Sequence, residues 1–429
     1  MHVRHWLSSV LVVLLATTGC SQDSVIKDPS TPEAPGELIA SDLQRTANPG
    51  ATDEELRSVA AGNTDFGAAM YRELIRTEEN LFFSPLSITQ GFSMVYVGAR
   101  GNTEAQMQQA LRFSLPQERL HPAMNALDLA LHGHAESAPE GQGDPPELRI
   151  VNATWGQKGY TFESAFLDVL GLQYGAGMHA VDFASDPNGV REQINAWVAG
   201  QTNDRIQDLL PEGSVKGDSR LVLTNALYFK GAWTESFEPG LTRTEPFSLL
   251  EGGTQQVQMM HRSGSVPHMR GDGFDAVALN YVGKAFRMLV IVPDSGRFKE
   301  VEARLSAEFL DGIRPALVNQ HIDLGMPKFQ TETDFSLADP LQTLGMVDAF
   351  STSADFSGIT QQERLMLTSA WHKAFVAVDE KGTEAAAATG AVAGPVSIPP
   401  SLTVDRPFLF LIEDVETKTV LFLGRILKP

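Results

Sequence analysis

One stretch near the C-terminal end, "EKGTEAAAATGAVAGPVSIPPS" from Glu380 to Ser401, constrains the fold more than any other, because it consists almost wholly of small side chains. Alanine favours helix. After Thr389, however, the chain turns to glycine and proline and "SIPPS" follows, so a long stable helix does not form. The stretch reads as an exposed loop. Around it, runs such as "RLVLTNALYF", "FRMLVIVP", "AFVAVDE" and "VLFLGRIL" are short, apolar and β-branched or aromatic, which is the pattern of buried strands.

The segments that precede these strands are helical in period. "ATDEELRSVAAGNTDFGAAMYRELIR" places Leu56, Val59, Phe66, Met70 and Leu74 at helical spacing, and "SITQGFSMVYVGA" behaves likewise. Helices gather early and strands late, which favours an α+β layout over regular βαβ winding. With 429 residues, 42% hydrophobic and 20% charged, the chain has the material for a large core, and length alone suggests roughly two or three domains. Fifty-three acidic against 33 basic residues give a net charge of -20. Nucleic acid is thereby excluded as a partner, since phosphate binding needs a basic surface. A basic protein partner remains open.

The N-terminus "MHVRHWLSSVLVVLLATTGCSQDS" has a basic start at Arg4, an apolar run from Leu7 to Ala16, and small residues before Cys20, the only cysteine. This is a signal peptide by length and flanks, over residues 1–19. Thr17, Thr18 and Gly19 before Cys20 resemble a bacterial lipobox, although leucine is usual at the place of Thr17. The expectation is a lipidated Cys20 on a bacterial membrane face, extracytoplasmic at the cell surface or in the periplasm. Residues 20–50 follow as anchor and flexible tether, rich in proline, serine and acid. A second low-complexity patch, His132 to Glu147, reads as an exposed loop, with His132 and His134 solvated rather than bound to metal.

Four segments carry a family resemblance: "NLFFSPLSITQGFSMVYVGARGNTEAQMQQAL" (Asn80 to Leu111), "LVLTNALYFKGAWTESFEP" (Leu221 to Pro239), "HKAFVAVDEKGTEAAAATG" (His372 to Gly390) and "DRPFLFLIEDVETKTVLFLGRILKP" (Asp405 to Pro429). In order and spacing they resemble a serpin over roughly residues 50 to 429. The resemblance implies one large domain over residues 51–429, with three β-sheets, eight or nine helices and an exposed reactive-centre loop at about 380–401. It implies an irreversible suicide-substrate inhibitor of serine endopeptidases. The protease is trapped as an acyl-enzyme while the cleaved loop inserts into the central sheet as a new strand, a form of strand addition.

By the same similarity the scissile bond lies between Val396 and Ser397, and the small aliphatic Val396 suits the shallow pocket of an elastase-like protease. The hinge and inserting positions are Glu380, Gly382, Thr383, Ala385, Ala387 and Thr389. An inserted strand alternates faces, and the parity Thr383, Ala385, Ala387, Thr389, Ala391, Ala393 is small and uncharged throughout. Glu384 falls on the other face. Gly390, Gly394 and Pro395 weaken strand character only late in the insert. Ser84, Ser87, Asn225 and His372 match a hydrogen-bonded cluster beneath the central sheet, Trp233 an aromatic residue where the loop enters, and Lys328 with Glu380 an ion pair holding the hinge.

Rival classes leave less trace. No "GxSxG", "HExxH", phosphate loop or dinucleotide fingerprint occurs, so the expectation is a monomeric inhibitor rather than an enzyme, with neither cofactor nor metal. The alternative is a non-inhibitory serpin acting as a surface binding protein, against which the all-small inward parity stands. The tripeptides "NAT" at Asn152 and "RGD" at Arg270 are chance-level matches and are assigned nothing.

Overall fold

The periodic segment over residues 51–76 becomes α1 (Asp53–Leu74), and a capping box fixes its start. Thr52 Oγ1 accepts from the Glu55 N–H, and the Glu55 carboxylate accepts from the Thr52 N–H. The second becomes α2 (Pro85–Tyr96), capped by Ser84 with proline at its first position and buried at every residue, so it is enclosed on all sides. Further helices are α3 (Gly101–Ala110), α4 (Gln117–Glu136), α5 (Ser164–Val169), which runs on as a wider turn over Leu170–Tyr174, α6 (Pro187–Gln201), α7 (Phe298–Ala303), α8 (Ala307–Ile313) and α9 (Ala338–Thr343). The computed structural model describes residues 32–137, 143–383 and 400–429. The expected signal segment and lipidation site at Cys20, and the loop positions Ala385, Ala387, Thr389, Val396 and Ser397, lie outside the described residues.

Strands come mostly later, as the sequence pattern implies. They are β1 (Glu37–Ile39), β2 (Leu81–Phe83), β3 (Glu147–Gln157), β4 (Met178–Val181), β5 (Leu221–Ala232), β6 (Arg243–Ser248), β7 (Thr254–Gly271), β8 (Phe274–Asn280), β9 (Phe286–Pro293), β10 (Val318–Pro327), β11 (Phe329–Ser336), β12 (Leu367–Asp379), β13 (Gly382–Thr383), β14 (Ser401–Thr403), β15 (Phe408–Asp414) and β16 (Val420–Ile426). A seven-stranded sheet has the order β1-β4-β3-β5-β13-β12-β11. The remaining strands form one path, β14-β10-β7-β8-β9-β15-β16-β2, with β6 beside β7. Hydrogen bonding among the described residues thus joins two of the three expected sheets into one. The reason is the long β7, which pairs with β6 and β10 along most of its length and with β8 at its end.

The seven-stranded sheet is covered on both faces. α2 and its neighbours fill one side. On the other, Val190, Ile194 and Val198 of α6 pack with Val151, Ala153 and Trp155 of β3 and Val222 and Ala226 of β5. That explains why Leu221 to Phe229 are all buried and why "LVLTNALYF" reads as a continuous apolar run rather than an alternating one. Two expectations about loops are corrected. Residues 32–50 are packed on the domain rather than free, with β1 paired to β4, because their backbone finds ladder partners there. His132 and His134 sit in the last turns of α4, where His134 lies 2.8 Å from Asp414 and 3.1 Å from Glu416.

On the far sheet, Glu413 of β15 is wholly buried between two guanidinium groups. Arg287 Nε lies 2.8 Å from one oxygen, and Arg314 Nε and Nη2 lie 3.0 and 2.8 Å from the other. Removing the carboxylate leaves those cations without their shared partner. Glu413→Ala is expected to lower stability by about 3–5 kcal/mol, read as a fall in the urea midpoint, and a loss below about 1 kcal/mol would show the pairing to be dispensable.

Candidate functional site

The central feature is a boundary between two strands. Along their lower part β5 and β12 are parallel neighbours, from Leu221 opposite Leu367 to Ala226 opposite Lys373, with one shift of register between Leu367 and Ser369. Above that level they no longer touch, and β13 lies between them. Gly382 and Thr383 pair antiparallel with Ala232 and Gly231 of β5 on one side and with Asp379 and Val378 of β12 on the other. The chain therefore leaves β12, reverses through Glu380 and Lys381, and returns into the gap beside it. Gly382 makes this possible: its φ is +153°, and a Cβ there would stand 2.1 Å from the Gly231 carbonyl oxygen.

The reversal is held by its carbonyls. The Trp233 indole N–H donates to the Asp379 oxygen at 3.1 Å, the Phe237 N–H to the Glu380 oxygen at 2.8 Å, and the Trp233 N–H to the Lys381 oxygen at 2.8 Å. Glu380 Oε1 lies 2.7 Å from Lys328 Nζ and accepts from Thr242 Oγ1 at 2.7 Å. Burial alone would raise this carboxyl, but the Lys328 and Thr242 contacts more than offset it, so it sits below the usual glutamate range. Thr383 is 2% exposed, and its hydroxyl lies 2.8 Å from that of Tyr281. Tyr281 stacks on Trp233 with ring centroids 4.6 Å apart.

Lower down the same boundary, a second polar group lies beneath the sheet. The Ser84 N–H donates to His372 Nε2 at 3.0 Å, so the imidazole proton is on Nδ1, which donates to Asn225 Oδ1 at 2.7 Å. Asn225 Nδ2 donates to Asn152 Oδ1 at 2.6 Å and to the Ser87 carbonyl. Asn152 Nδ2 donates to the same carbonyl at 3.2 Å, and Ser87 Oγ to Asn152 Oδ1 at 3.3 Å. Ser84 Oγ donates to the Leu421 carbonyl at 2.6 Å and accepts from the Ser87 N–H at 3.0 Å. One network thus joins α2, β3, β5, β12 and β16. Its His372–Asn225 bond crosses the β5–β12 boundary itself. The Ser84 hydroxyl is spent on a carbonyl and His372 is fully enclosed, so the pair has no geometry for attack on a substrate. Among the described residues no three potential metal ligands converge.

A family model described as "Serpin (serine protease inhibitor)" matches residues 61–429. The chain belongs to the serpin family. A serpin-like protein of Thermococcus kodakarensis is 38% identical over 365 residues, spanning 84% of this chain and 83% of that protein. The leukocyte elastase inhibitor of Bos taurus is 35% identical over 387 residues, spanning 87% of this chain and 100% of its own. Among solved structures, human thyroxine-binding globulin complexed with thyroxine superposes with a TM-score of 0.78 at 29% identity, covering 87% of this chain and 99% of that one.

Within this serpin, the residues singled out in the sequence fall into two places. Ser84, Ser87, Asn225 and His372 meet beneath the sheet, and Trp233, Lys328, Glu380, Gly382 and Thr383 meet at its upper gap. Sequence reading passed over Asn152, Tyr281 and Thr242. Asn152 interrupts the apolar run "ELRIVNATWG", and its place opposite Asn225 in the β3–β5 ladder is set by a register between distant segments. Its side chain is committed to the network, which explains why "NAT" there carries no sequon role. Arg270 is likewise committed, to Asp275 and Asp294.

Burial holds the His372 imidazole down to about 3, and the same cause brings His121, 2.7 Å from the Tyr174 hydroxyl, to about 3. In the unfolded chain both titrate near 6.5. Below that value the unfolded state takes protons that the native state refuses, so stability is complete above pH 6.5 and falls as pH drops toward 3. Urea unfolding is expected to weaken by up to ~2.7 kcal/mol per pH unit between about pH 6 and pH 5, and by up to ~1.4 in His121→Phe. An equal slope in the variant would contradict this.

Proposed function

We propose that this serpin is an irreversible suicide-substrate inhibitor of elastase-like serine endopeptidases. The observation that carries the reading is β13, where Gly382 and Thr383, just before the alanine run, are already laid as a strand between β5 and β12 with Thr383 turned into the core. The protease serine attacks the Val396 carbonyl, the bond to Ser397 breaks, and the protease histidine passes its proton to the new amine. The acyl ester remains on the protease. Residues 384–396 then continue the strand begun by β13 downward through the boundary, for ~43 Å at ~3.3 Å per residue, and carry the protease with them.

Continuing the strand has local requirements. The direct β5–β12 pairing from Leu221 to Lys373 must part, and the His372–Asn225 bond must break with it. Small side chains at every second position pass over α2 without displacing it. Support for the elastase-like choice is the aliphatic Val396, together with similarity to the bovine leukocyte elastase inhibitor. In the same reading the protein acts as a monomer, lipidated at Cys20 and anchored outside the cytoplasm to a bacterial membrane, at the cell surface or in the periplasm.

Two experiments test it. Incubation with elastase-like, chymotrypsin-like and trypsin-like proteases is expected to give an SDS-stable complex with the first, and mass spectrometry a released peptide beginning at Ser397. A different first residue overturns the specificity. In Thr383→Arg a charge replaces a hydroxyl that is buried in the gap, which costs several kcal/mol unless it is paired. The expected result is cleavage with complex yield lowered at least ~10-fold, since ~1.4 kcal/mol already gives that factor. Undiminished yield would contradict insertion.

A further inference from the structure

Composition makes residues 20–50 look like a tether, yet from Pro32 onward they are sewn to the domain. Pro35 is buried. β1 pairs antiparallel with β4, Glu37 opposite Ala180 and Ile39 opposite Met178, and becomes the outermost strand of the seven-stranded sheet. Pro32 reaches α6, where a Cβ on Gly200 would meet its Cδ at 2.3 Å. Ser41 Oγ donates to Asp168 of α5 at 2.5 Å, and the Thr46 N–H to the Leu172 carbonyl at 3.0 Å. Arg45 then crosses to α4, with Nε 2.8 Å from Asn125 Oδ1 and Nη2 2.6 Å from Asp128.

The receiving surface is built for this segment. Asn125 is 1% exposed and donates back to the Thr46 carbonyl at 2.9 Å, so both ends of a buried amide are satisfied by residues 45 and 46. Without them, its oxygen loses the Arg45 donor, a costly state for a buried polar atom. Gly177 admits the passing backbone, since a Cβ there would stand 2.6 Å from the Ile39 oxygen. The segment bridges the sheet and the helices: β4 is joined to β3 and β5 by continuous ladders, while α4 packs on α1 and also touches β3. On the insertion reading, β5 would carry β3 and β4 with it on leaving β12, so a tie from β4 to α4 would resist that shift.

We propose that residues 32–46 are a strap that fastens the outer strands of the sheet to α4, slows entry of the uncleaved loop and so preserves the active inhibitor. The proposal rests on the insertion reading given above. It is tested in the full chain with two variants, Arg45→Ala combined with Ser41→Ala, and Gly177→Val, which drives the Ile39 backbone away.

Each protein is first titrated against the elastase-like protease, then held warm without protease and titrated over time. The expected result is a half-life of inhibitory activity shortened at least ~5-fold in both variants, the factor that ~1 kcal/mol supplies. The inactive protein should be uncleaved, monomeric and raised in unfolding temperature. Half-lives within about twofold of the parent (under ~0.5 kcal/mol), or activity lost to aggregates with no raised unfolding temperature, overturn the strap alone. A parent protein that never forms a covalent complex overturns the inhibitory reading and the strap with it.

Discussion

The hydrogen bond between His372 and Asn225 is the interaction on which the rest of the arrangement turns. It is the side-chain tie in the network that crosses from β12 to β5, and the main-chain pairing of those strands runs on both sides of it. Its strength depends on burial. Enclosure keeps the imidazole neutral, neutrality leaves Nε2 free to accept from the Ser84 N–H, and that bond fixes the proton on Nδ1 facing Asn225. The start of α2 is therefore coupled to the boundary of the sheet above it. A helix that is buried at every residue cannot shift without disturbing the strands it supports.

At the upper end of the same boundary the bonding is of another kind. The turn after β12 is gripped mainly through its own carbonyls, by Trp233 and Phe237, with a partly exposed ion pair at its edge. Side chains add to this grip: Asp379 Oδ1 accepts from the Lys381 and Gly382 N–H groups at 2.8 and 3.3 Å. Exposed ion pairs contribute little by themselves, and here the Thr242 hydroxyl and the Trp233–Tyr281 stack share the task. Thr383 is thereby seated with its hydroxyl against Tyr281, at the mouth of a gap that narrows to direct pairing below.

Much of this was legible in the sequence where the signal is local. "FRMLVIVP" maps onto β9 and the periodic runs onto α1 and α2, since period and apolar content are properties of short windows. The site residues within quoted segments, such as His372 and Trp233, were named through resemblance rather than through chemistry visible in one chain. What stayed hidden depends on register between distant segments. Asn152 meets Asn225 only because β3 and β5 pair as they do, and Tyr281 meets Thr383 across about a hundred positions. Residues 32–46 read as a tether for a related reason: proline, serine and acid describe a tether well, but the Asn125 amide and the passage beside Gly177 that receive this segment lie far along the chain.

The direction of the strands at the boundary has an energetic meaning of its own. β5 and β12 run parallel, the less stable form of pairing per residue, whereas β13 runs antiparallel to both. On the proposed insertion, the residues that follow β13 would add an antiparallel ladder to each neighbour, first where β5 and β12 do not pair and then in place of their parallel pairing from Ala226–Lys373 down to Leu221–Leu367. On that reading the resting sheet is an unfinished one, and the work of insertion would come from completing it.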